Sequence, residues 1–240
     1  VLSDDYYLFS DGALTAKVTA FFASKSLRGR VTALARKDFP EAFRSPEFKG
    51  TLYQLQDIVI DTQALLRLLR TKHSNHIYQA HVKANSNGDK ITSLQLNQLD
   101  SITADEYIFA AGAGNGELLS ELNFVPTKMQ LRPLKQVLVK GQLPKVFAHA
   151  VSLRDANKPR LTITTHSHPD GDEVWYLGGN LAEQGVGMTD DTLIAKTKQE
   201  LASLFPWIDQ QHLAFRTLNV NRAEPATQDQ SRPDFAGQPN

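Results

Sequence analysis

The chain has 240 residues, of which 41% are hydrophobic and 22% are charged, an ordinary composition for a globular protein. Basic and acidic residues number 26 each, so the formal charge is zero and no global field would attract nucleic acid or anionic lipid. Cysteine is absent, which excludes disulfides, thiolate metal sites and a cysteine nucleophile; no apolar run approaches the roughly 20 residues of a membrane-spanning helix.

Helical patterns open the chain. Apolar side chains over 12–28 have a spacing that predicts a short amphipathic helix, and the prolines within 39–46 predict a loop. Asp61 is a good N-cap for a helix over 62–70. The leucines of this helix are expected to face the interior: Leu65, Leu66, Leu68 and Leu69.

Strand patterns follow in the middle of the chain. Two strand-like runs cover 77–84 and 91–98, and Asn87-Gly88 between them is a strong signal of a tight hairpin. A third, apolar run over 107–111 predicts a buried strand.

The rest of the chain predicts a sheet with one long helix. The strand-like runs are 128–139, 145–152, 160–166, 173–177 and 213–220, and Asp170-Gly171-Asp172 predicts a turn before the fourth of them. Thr189 caps the predicted helix over 190–204, and Pro206 ends it. This order predicts an α+β fold, with mixed α and β elements and a large, mostly antiparallel sheet, rather than repeated βαβ units.

A glycine turn is the sharpest local feature. Ala111-Gly112-Ala113-Gly114-Asn115-Gly116 leads from the predicted strand into a predicted helix over 117–122. Small residues let a cofactor approach the backbone, and a helix N-terminus favours anions. The spacing departs from G-x-G-x-x-G, because a glycine is missing at the sixth place. Taken alone, the motif is equally compatible with a turn whose glycines only relieve steric crowding.

Five segments, in this order, resemble the D-amino-acid oxidase / glycerol-3-phosphate dehydrogenase superfamily of FAD-dependent oxidoreductases. They are the strand and glycine turn over 104–119, the Arg-Pro run over 130–137, the segment over 166–179, the helix and proline over 200–208, and the arginine-containing segment over 219–225. The family's N-terminal G-x-G-x-x-G strand and its C-terminal flavin-covering segment have no counterpart in the sequence. The resemblance therefore implies a fragment of such an enzyme.

The resemblance also implies a domain organisation. It predicts a partial FAD-binding domain with inserted helices over 1–125, a substrate domain over 126–222 and a C-terminal coil over 223–240. It implies an oxidoreductase that acts on a small anionic amine or alcohol, such as an amino acid, a hydroxy acid or glycerol 3-phosphate.

Site residues follow from the same resemblance. The residues that match the flavin side are Val82, Ala111, Gly112 and Ala113. Arg222 matches the arginine that binds the substrate's anionic group, with Arg132 as the second choice. The residues that would handle protons or donate hydrogen bonds are His149, His166 and Tyr176. Structural roles stay open for each: an ion pair between Arg222 and Glu224, and ordinary packing of the histidine and tyrosine side chains.

Two other functions stay open on the sequence. His166, His168 and Asp170 follow a predicted strand in the manner of a divalent-metal hydrolase site, although Asp-Gly-Asp more simply makes a turn. A folded remnant without activity is the other reading. We expect a cytoplasmic protein without an integral membrane segment, whereas the resemblance allows peripheral attachment; homo-oligomerisation is left open.

Overall fold

The fold divides into two compact units in a computed structural model, which describes residues 1–10, 31–88, 90–97, 100–122, 129–151 and 159–225. The first unit comprises 1–66 and 134–220, and the second comprises 67–133 and 221–240. The helix predicted over 12–28 lies outside the described residues. Within the part of the chain that the structure describes, no helix has both the length and the apolar character needed to cross a bilayer.

A sheet of eight strands dominates the fold, in the order β11-β7-β10-β9-β8-β1-β3-β2. Its strands are β1 Tyr6–Ser10, β2 Val31–Ala33, β3 Leu52–Leu55, β7 Met129–Gly141, β8 Ala148–Val151, β9 Leu161–Ser167, β10 Glu173–Gly178 and β11 Ala214–Pro225. β9 pairs antiparallel with both β8 and β10, and β10 pairs antiparallel with β7. β1 pairs parallel with β8. The prediction of a large, mostly antiparallel sheet is confirmed.

The core of the first unit is aromatic. Phe205, which is fully buried, lies 5.5 Å from the Phe9 ring, 5.7 Å from Phe43 and 5.2 Å from Trp175, measured between centroids. Tilted and edge-on aromatic pairs of this kind add to the stabilisation from buried area. Phe43 belongs to the segment predicted as a loop, and there a short 3₁₀ turn, Glu41–Phe43, carries it into the core.

The long helix packs on this core. Two helices follow β10: α3 spans Asn180–Gln184 and α4 spans Asp190–Leu204. Thr189 caps α4, because its Oγ1 accepts a hydrogen bond from the backbone N–H of Thr192 at 3.3 Å. The buried side of α4 consists of Leu193, Thr197, Leu201 and Leu204. The predicted helix and its cap are therefore confirmed.

The second unit contains a three-stranded antiparallel sheet of β4 Val82–Asn87, β5 Lys90–Leu96 and β6 Asp100–Ile102. Asn87 pairs with Lys90, and Gly88 between them has a φ of 64°, which suits glycine. The predicted Asn-Gly hairpin is confirmed. The helix α2, Asn115–Glu121, follows the glycine turn close to its predicted place.

The helix that Asp61 was predicted to cap is present as α1, Thr62–Lys72, and the Asp61 Oδ1 accepts a hydrogen bond from the Ala64 N–H at 2.8 Å. The prediction that its leucines face the interior is wrong. Their exposed fractions are 40% for Leu65, 59% for Leu66, 65% for Leu68 and 44% for Leu69. The physical reason is that no described element covers this helix face.

The strand predicted over 107–111 is also absent from the described structure. Ile108 is 89% exposed, and no described strand pairs with the segment. An apolar run forms a buried strand only where a neighbouring strand supplies hydrogen bonds and a covering layer supplies contacts. The segment is instead anchored by a side chain: the Tyr107 hydroxyl accepts a hydrogen bond from the Ala104 N–H at 2.9 Å and donates one to the Thr92 carbonyl at 3.2 Å.

The boundaries of the two units differ from the predicted domain boundaries, which lie after residue 125 and after residue 222. β1, β2 and β3 come from the segment predicted as the FAD-binding domain, yet they join the eight-stranded sheet. The coil predicted over 223–240 begins inside β11, which continues to Pro225, while 226–240 lie outside the described residues. The functional assignment of these segments stays a prediction.

Candidate functional site

His166 and Tyr176 come together on one face of the first unit's sheet. β9 and β10 are neighbours, with His166 opposite Val174 and Tyr176 opposite Thr164. The two rings are therefore diagonal neighbours on the same face, where long side chains can touch. Their centroids lie 4.5 Å apart in an edge-on arrangement. Because side chains alternate along a strand, this face is opposite to the one on which Trp175 is buried.

His149 does not join that pair. It lies on β8 opposite Thr162, and its Nδ1 is 3.0 Å from the Thr162 Oγ1. Thr162 precedes His166 by four residues on β9, a distance of about 13 Å along an extended strand. The imidazole of His149 instead contacts the Tyr6 ring at 4.9 Å. Burial, with Asp57 as a second cause, raises the pKa of Tyr6 to about 12, so this hydroxyl stays protonated at neutral pH.

The two predicted arginines of the second unit share one carboxylate. The Arg132 Nη1 donates to the Glu224 Oε2 at 3.0 Å, whereas the Arg222 Nε lies 3.8 Å from the Glu224 Oε1. The Arg222 Nε is buried, and no described atom accepts a hydrogen bond from it. An ion pair of Arg222 with Glu224 was the structural alternative, and it is present only as this longer contact. Two guanidinium groups beside one carboxylate leave a positive charge that suits an anion.

The residues predicted on the flavin side lie at the glycine turn and on β4. Ala111, Gly112 and Ala113 are exposed, and Val82 is half-buried on β4. Gly112 has a φ of 57°, a conformation that favours glycine, and a Cβ added there would meet no atom within 4 Å. The backbone is therefore open on that side. An exposed turn of small residues leaves room for a flavin nucleotide to lie against the backbone.

Two residues that the sequence reasoning did not choose take part in these arrangements. Glu224 pairs with Arg132, and the Asn115 side chain bridges the backbone of the glycine turn. Glu224 is 92 positions away from Arg132, so no local pattern signals their contact. Asn115 could have been found, because asparagine beside a turn often forms a hydrogen bond with nearby backbone.

The metal-site alternative is not supported by the geometry. The His168 Nδ1 lies 2.7 Å from an Asp170 carboxylate oxygen, but His166 packs on Tyr176 instead. Within the described ranges, no three histidine or acidic side chains are grouped to hold a metal ion. Asp170 instead forms a hydrogen bond with Lys140. This hydrogen bond is the main cause that holds the pKa of the Asp170 carboxyl well below its usual range, and the contact with His168 lowers it further. The Asp-Gly-Asp segment makes the turn between β9 and β10.

Comparisons with known proteins agree with this fold. No family model matches the chain. A Pseudomonas aeruginosa protein named as a probable FAD-dependent oxidoreductase is 40% identical over an alignment of 239 residues, which covers 98% of this chain and 60% of that protein. Its crystal structure superposes with a TM-score of 0.81 at 36% identity, over 97% of this chain and 59% of that chain. The chain thus spans less than two thirds of this relative's length.

More distant crystal structures share the fold. Glycine oxidase from Bacillus cereus has a TM-score of 0.61 at 14% identity, over 92% of this chain and 61% of that one. Iminodiacetate oxidase from Chelativorans has a TM-score of 0.60 at 16% identity, over 93% of this chain and 61% of that one. The predicted resemblance to FAD-dependent oxidoreductases is confirmed by the similarity to the Pseudomonas protein along nearly all of this chain, and the two oxidases show that the fold is shared.

Proposed function

We propose that the protein is, or forms part of, a FAD-dependent oxidoreductase that acts on a small anionic amine or alcohol. The 40% identity to the Pseudomonas protein along 239 residues is the observation that carries this proposal. An amino acid, a hydroxy acid and glycerol 3-phosphate are the substrate classes that the family resemblance offers. The names of the two distant oxidases favour an amino-acid-like substrate among these.

The glycine turn would lie beside the cofactor. When bound, FAD would supply the redox chemistry, as the acceptor for a hydride from the substrate's C–H bond. Ala111, Gly112 and Ala113 would hold it through their exposed backbone, since small side chains permit close approach. Val82, at the beginning of β4, would meet the nucleotide through its backbone.

The substrate's anionic group would bind Arg222. A buried Nε without a hydrogen-bond acceptor among the described residues gives this guanidinium a donor that an anion can fill. Arg132 is the weaker choice, because its Nη1 already donates to Glu224. A guanidinium that donates two parallel hydrogen bonds would orient the carboxylate or phosphate as well as attract it.

Proton handling would fall to side chains of the first unit. The His166 imidazole and the Tyr176 hydroxyl lie on one sheet face and could accept or donate a proton at the substrate's amine or hydroxyl. His149 is the third choice, and its Nδ1 is already within hydrogen-bonding distance of Thr162. Each assignment is proposed from that residue's own contacts.

Flavin content tests the proposal as a whole. The protein, purified in its natural length, should be yellow and should release stoichiometric FAD when it is denatured. A colourless protein that does not take up added FAD would favour the remaining alternative, a folded remnant without activity.

The anion-binding role has its own test. Arg222→Ala should raise KM for the substrate about 10- to 100-fold, because a hydrogen bond to a charged group contributes roughly 1.5–3 kcal/mol. Arg216→Ala is the matched control, since Arg216 is an exposed arginine of the same strand. If Arg222→Ala left KM unchanged for amino acids, hydroxy acids and glycerol 3-phosphate alike, the role would be wrong.

A further inference from the structure

The Asn115 side chain bridges two backbone groups of the segment before the glycine turn. Its Oδ1 accepts a hydrogen bond from the Ala111 N–H at 2.8 Å, and its Nδ2 donates to the Phe109 carbonyl at 3.0 Å. A carbonyl and the N–H two residues later are the pair of groups that one residue of a neighbouring parallel strand would satisfy. A carboxamide carries one acceptor and two donors, so it can take the place of that neighbour.

This bridge connects the segment to the first turn of α2. Asn115 is the first residue of the helix, and the 3₁₀ turn Gly112–Gly114 lies between it and Ala111. The Gly114 N–H also donates to the Ala111 carbonyl at 3.1 Å. Both backbone groups of Ala111 are therefore held from the helix side. No described strand pairs with 107–111. At the C-terminal end of this segment, the Asn115 side chain forms the two hydrogen bonds that a neighbouring strand would otherwise form.

The glycine turn is therefore held by hydrogen bonds at the Phe109 carbonyl and the Ala111 N–H, and it is open to solvent over 111–113. The Asn115 side chain satisfies these two backbone groups, while the side chains of Ala111 and Ala113 and the backbone of Gly112 stay exposed. A Cβ at Gly112 would meet nothing, so the open side has room for a ligand in contact with the backbone. A surface that is already ordered before binding loses less conformational freedom when the ligand binds.

We propose that Asn115 is a positioning residue for FAD, which holds the turn over 111–113 in the conformation that meets the flavin nucleotide. This inference rests on the proposed function, because it takes these three residues as the flavin side. Asn115 would not itself touch the cofactor. It acts through the Ala111 N–H and the Phe109 carbonyl.

The experiment measures the FAD dissociation constant of deflavinated protein of natural length. Asn115→Leu keeps a similar side-chain size and removes both hydrogen bonds. Each net hydrogen bond changes an equilibrium constant about five-fold, so we expect an FAD affinity about 10- to 30-fold weaker. Asn85→Leu is the matched control, because it removes a side-chain hydrogen bond to Ser93 from an exposed position of the second unit. We expect this control to bind FAD like the unmodified protein.

A second variant separates positioning from simple loss of stability. In Asn115→Asp, the ionised carboxylate still accepts from the Ala111 N–H but faces the Phe109 carbonyl without a donor. Protonation restores an O–H donor, so the FAD affinity of this variant should recover as the pH falls towards about 3.9, the ordinary Asp value. Asn115→Leu should show no such recovery.

The outcomes are distinguishable. If the unmodified protein binds no FAD, the proposed function is wrong and this inference falls with it. If the unmodified protein binds FAD and Asn115→Leu binds it equally well, the inference alone is wrong. Should Asn115→Leu fail to fold, the pH series of Asn115→Asp decides: recovery at low pH supports the positioning role, and its absence overturns it.

Discussion

The aromatic core of the first unit buries its apolar side chains, whereas the helix α1 exposes its apolar side chains to solvent. Phe9, Phe43, Trp175 and Phe205 are at most 1% exposed and surround one another. On α1, four leucines are 40–65% exposed, and Ile77 and Tyr78, which follow the helix, are 51% and 74% exposed. Burial was predicted for the α1 leucines, whereas Phe43 belongs to a segment predicted as a loop, so the local sequence pattern alone does not decide where an apolar side chain lies.

What separates the two regions is a partner surface. The core has a sheet on one side and α4 on the other, and both supply apolar side chains to it. α1 buries none of its residues among the described parts of the chain. Since burial of apolar area is the main stabilising term in folding, we expect these regions to respond very differently to substitution.

The largest effect is expected in the core. Phe205→Ala should lower the free energy of unfolding by about 3–5 kcal/mol, because it removes buried area and leaves a cavity among aromatic rings. Leu68→Ala on α1 should change it by less than about 0.5 kcal/mol, as is usual for exposed positions. Urea denaturation of both variants measures the difference. Equal losses in the two variants would contradict the comparison and would mean that α1 is covered in the protein in solution.

Local signals explain which parts of the fold could be predicted from the sequence. Asn87-Gly88, Asp61 and Thr189 act within a few residues, and the hairpin and both helix caps are present. The turn Asp170-Gly171-Asp172 likewise connects two strands that pair with each other. In each case the residues that determine the structure are neighbours in the chain.

Partners that are distant in the chain explain what could not be predicted. The parallel pairing of β1 with β8 joins residues 7–10 to 148–151, and no local pattern signals it. Ile108 and the α1 leucines have the composition of buried elements, but their burial depends on other elements being in place. The site shows the same limit: the adjacency of His166 and Tyr176 requires the register of β9 and β10, which the sequence does not reveal.

An ion pair at the beginning of α4 gives the second prediction. The Lys135 Nζ lies 2.6 Å from the Asp190 Oδ1, and Lys135 is buried. The hydrogen bond from Lys135, followed by one from Thr217, lowers the pKa of the Asp190 carboxyl. A carboxyl whose pKa is lowered on folding stabilises the folded state above its unfolded pKa of about 3.9, and this stabilisation is lost as the pH falls through the lowered folded pKa.

Asp190→Asn should therefore lower Tm at pH 7, and its difference from the unmodified protein should shrink in strong acid. Asp191→Asn is the control, because it removes a negative charge from the same helical turn and leaves the contact of Asp190 with Lys135 in place. Thermal denaturation at several pH values measures both variants. A Tm difference for Asp190→Asn that stays constant with pH would contradict the assignment.

The smallest effect is expected from substitutions of the helix caps. They compare α4, which packs on the core, with the exposed helix α1. Thr189→Ala removes the α4 cap and should lower the free energy of unfolding by about 1 kcal/mol, a typical value for an N-cap. Asp61→Ala removes a shorter hydrogen bond, 2.8 Å against 3.3 Å, yet its effect on global unfolding should be less than about 0.5 kcal/mol. The reason is that α1 can unfold locally without exposing a core.

Hydrogen exchange distinguishes local from global loss in these cap variants. In Asp61→Ala, the amides of α1 should exchange faster while those of α4 keep their protection; in Thr189→Ala, the amides of α4 and of the strands beside it should change together. From hydrogen-bond length alone, Asp61→Ala should destabilise the protein more than Thr189→Ala. The experiment therefore shows whether burial of the helix or the length of the capping hydrogen bond determines the loss of stability. If Asp61→Ala destabilised the whole protein as much as Thr189→Ala, α1 would unfold together with the core, and its leucines would have to belong to a buried surface.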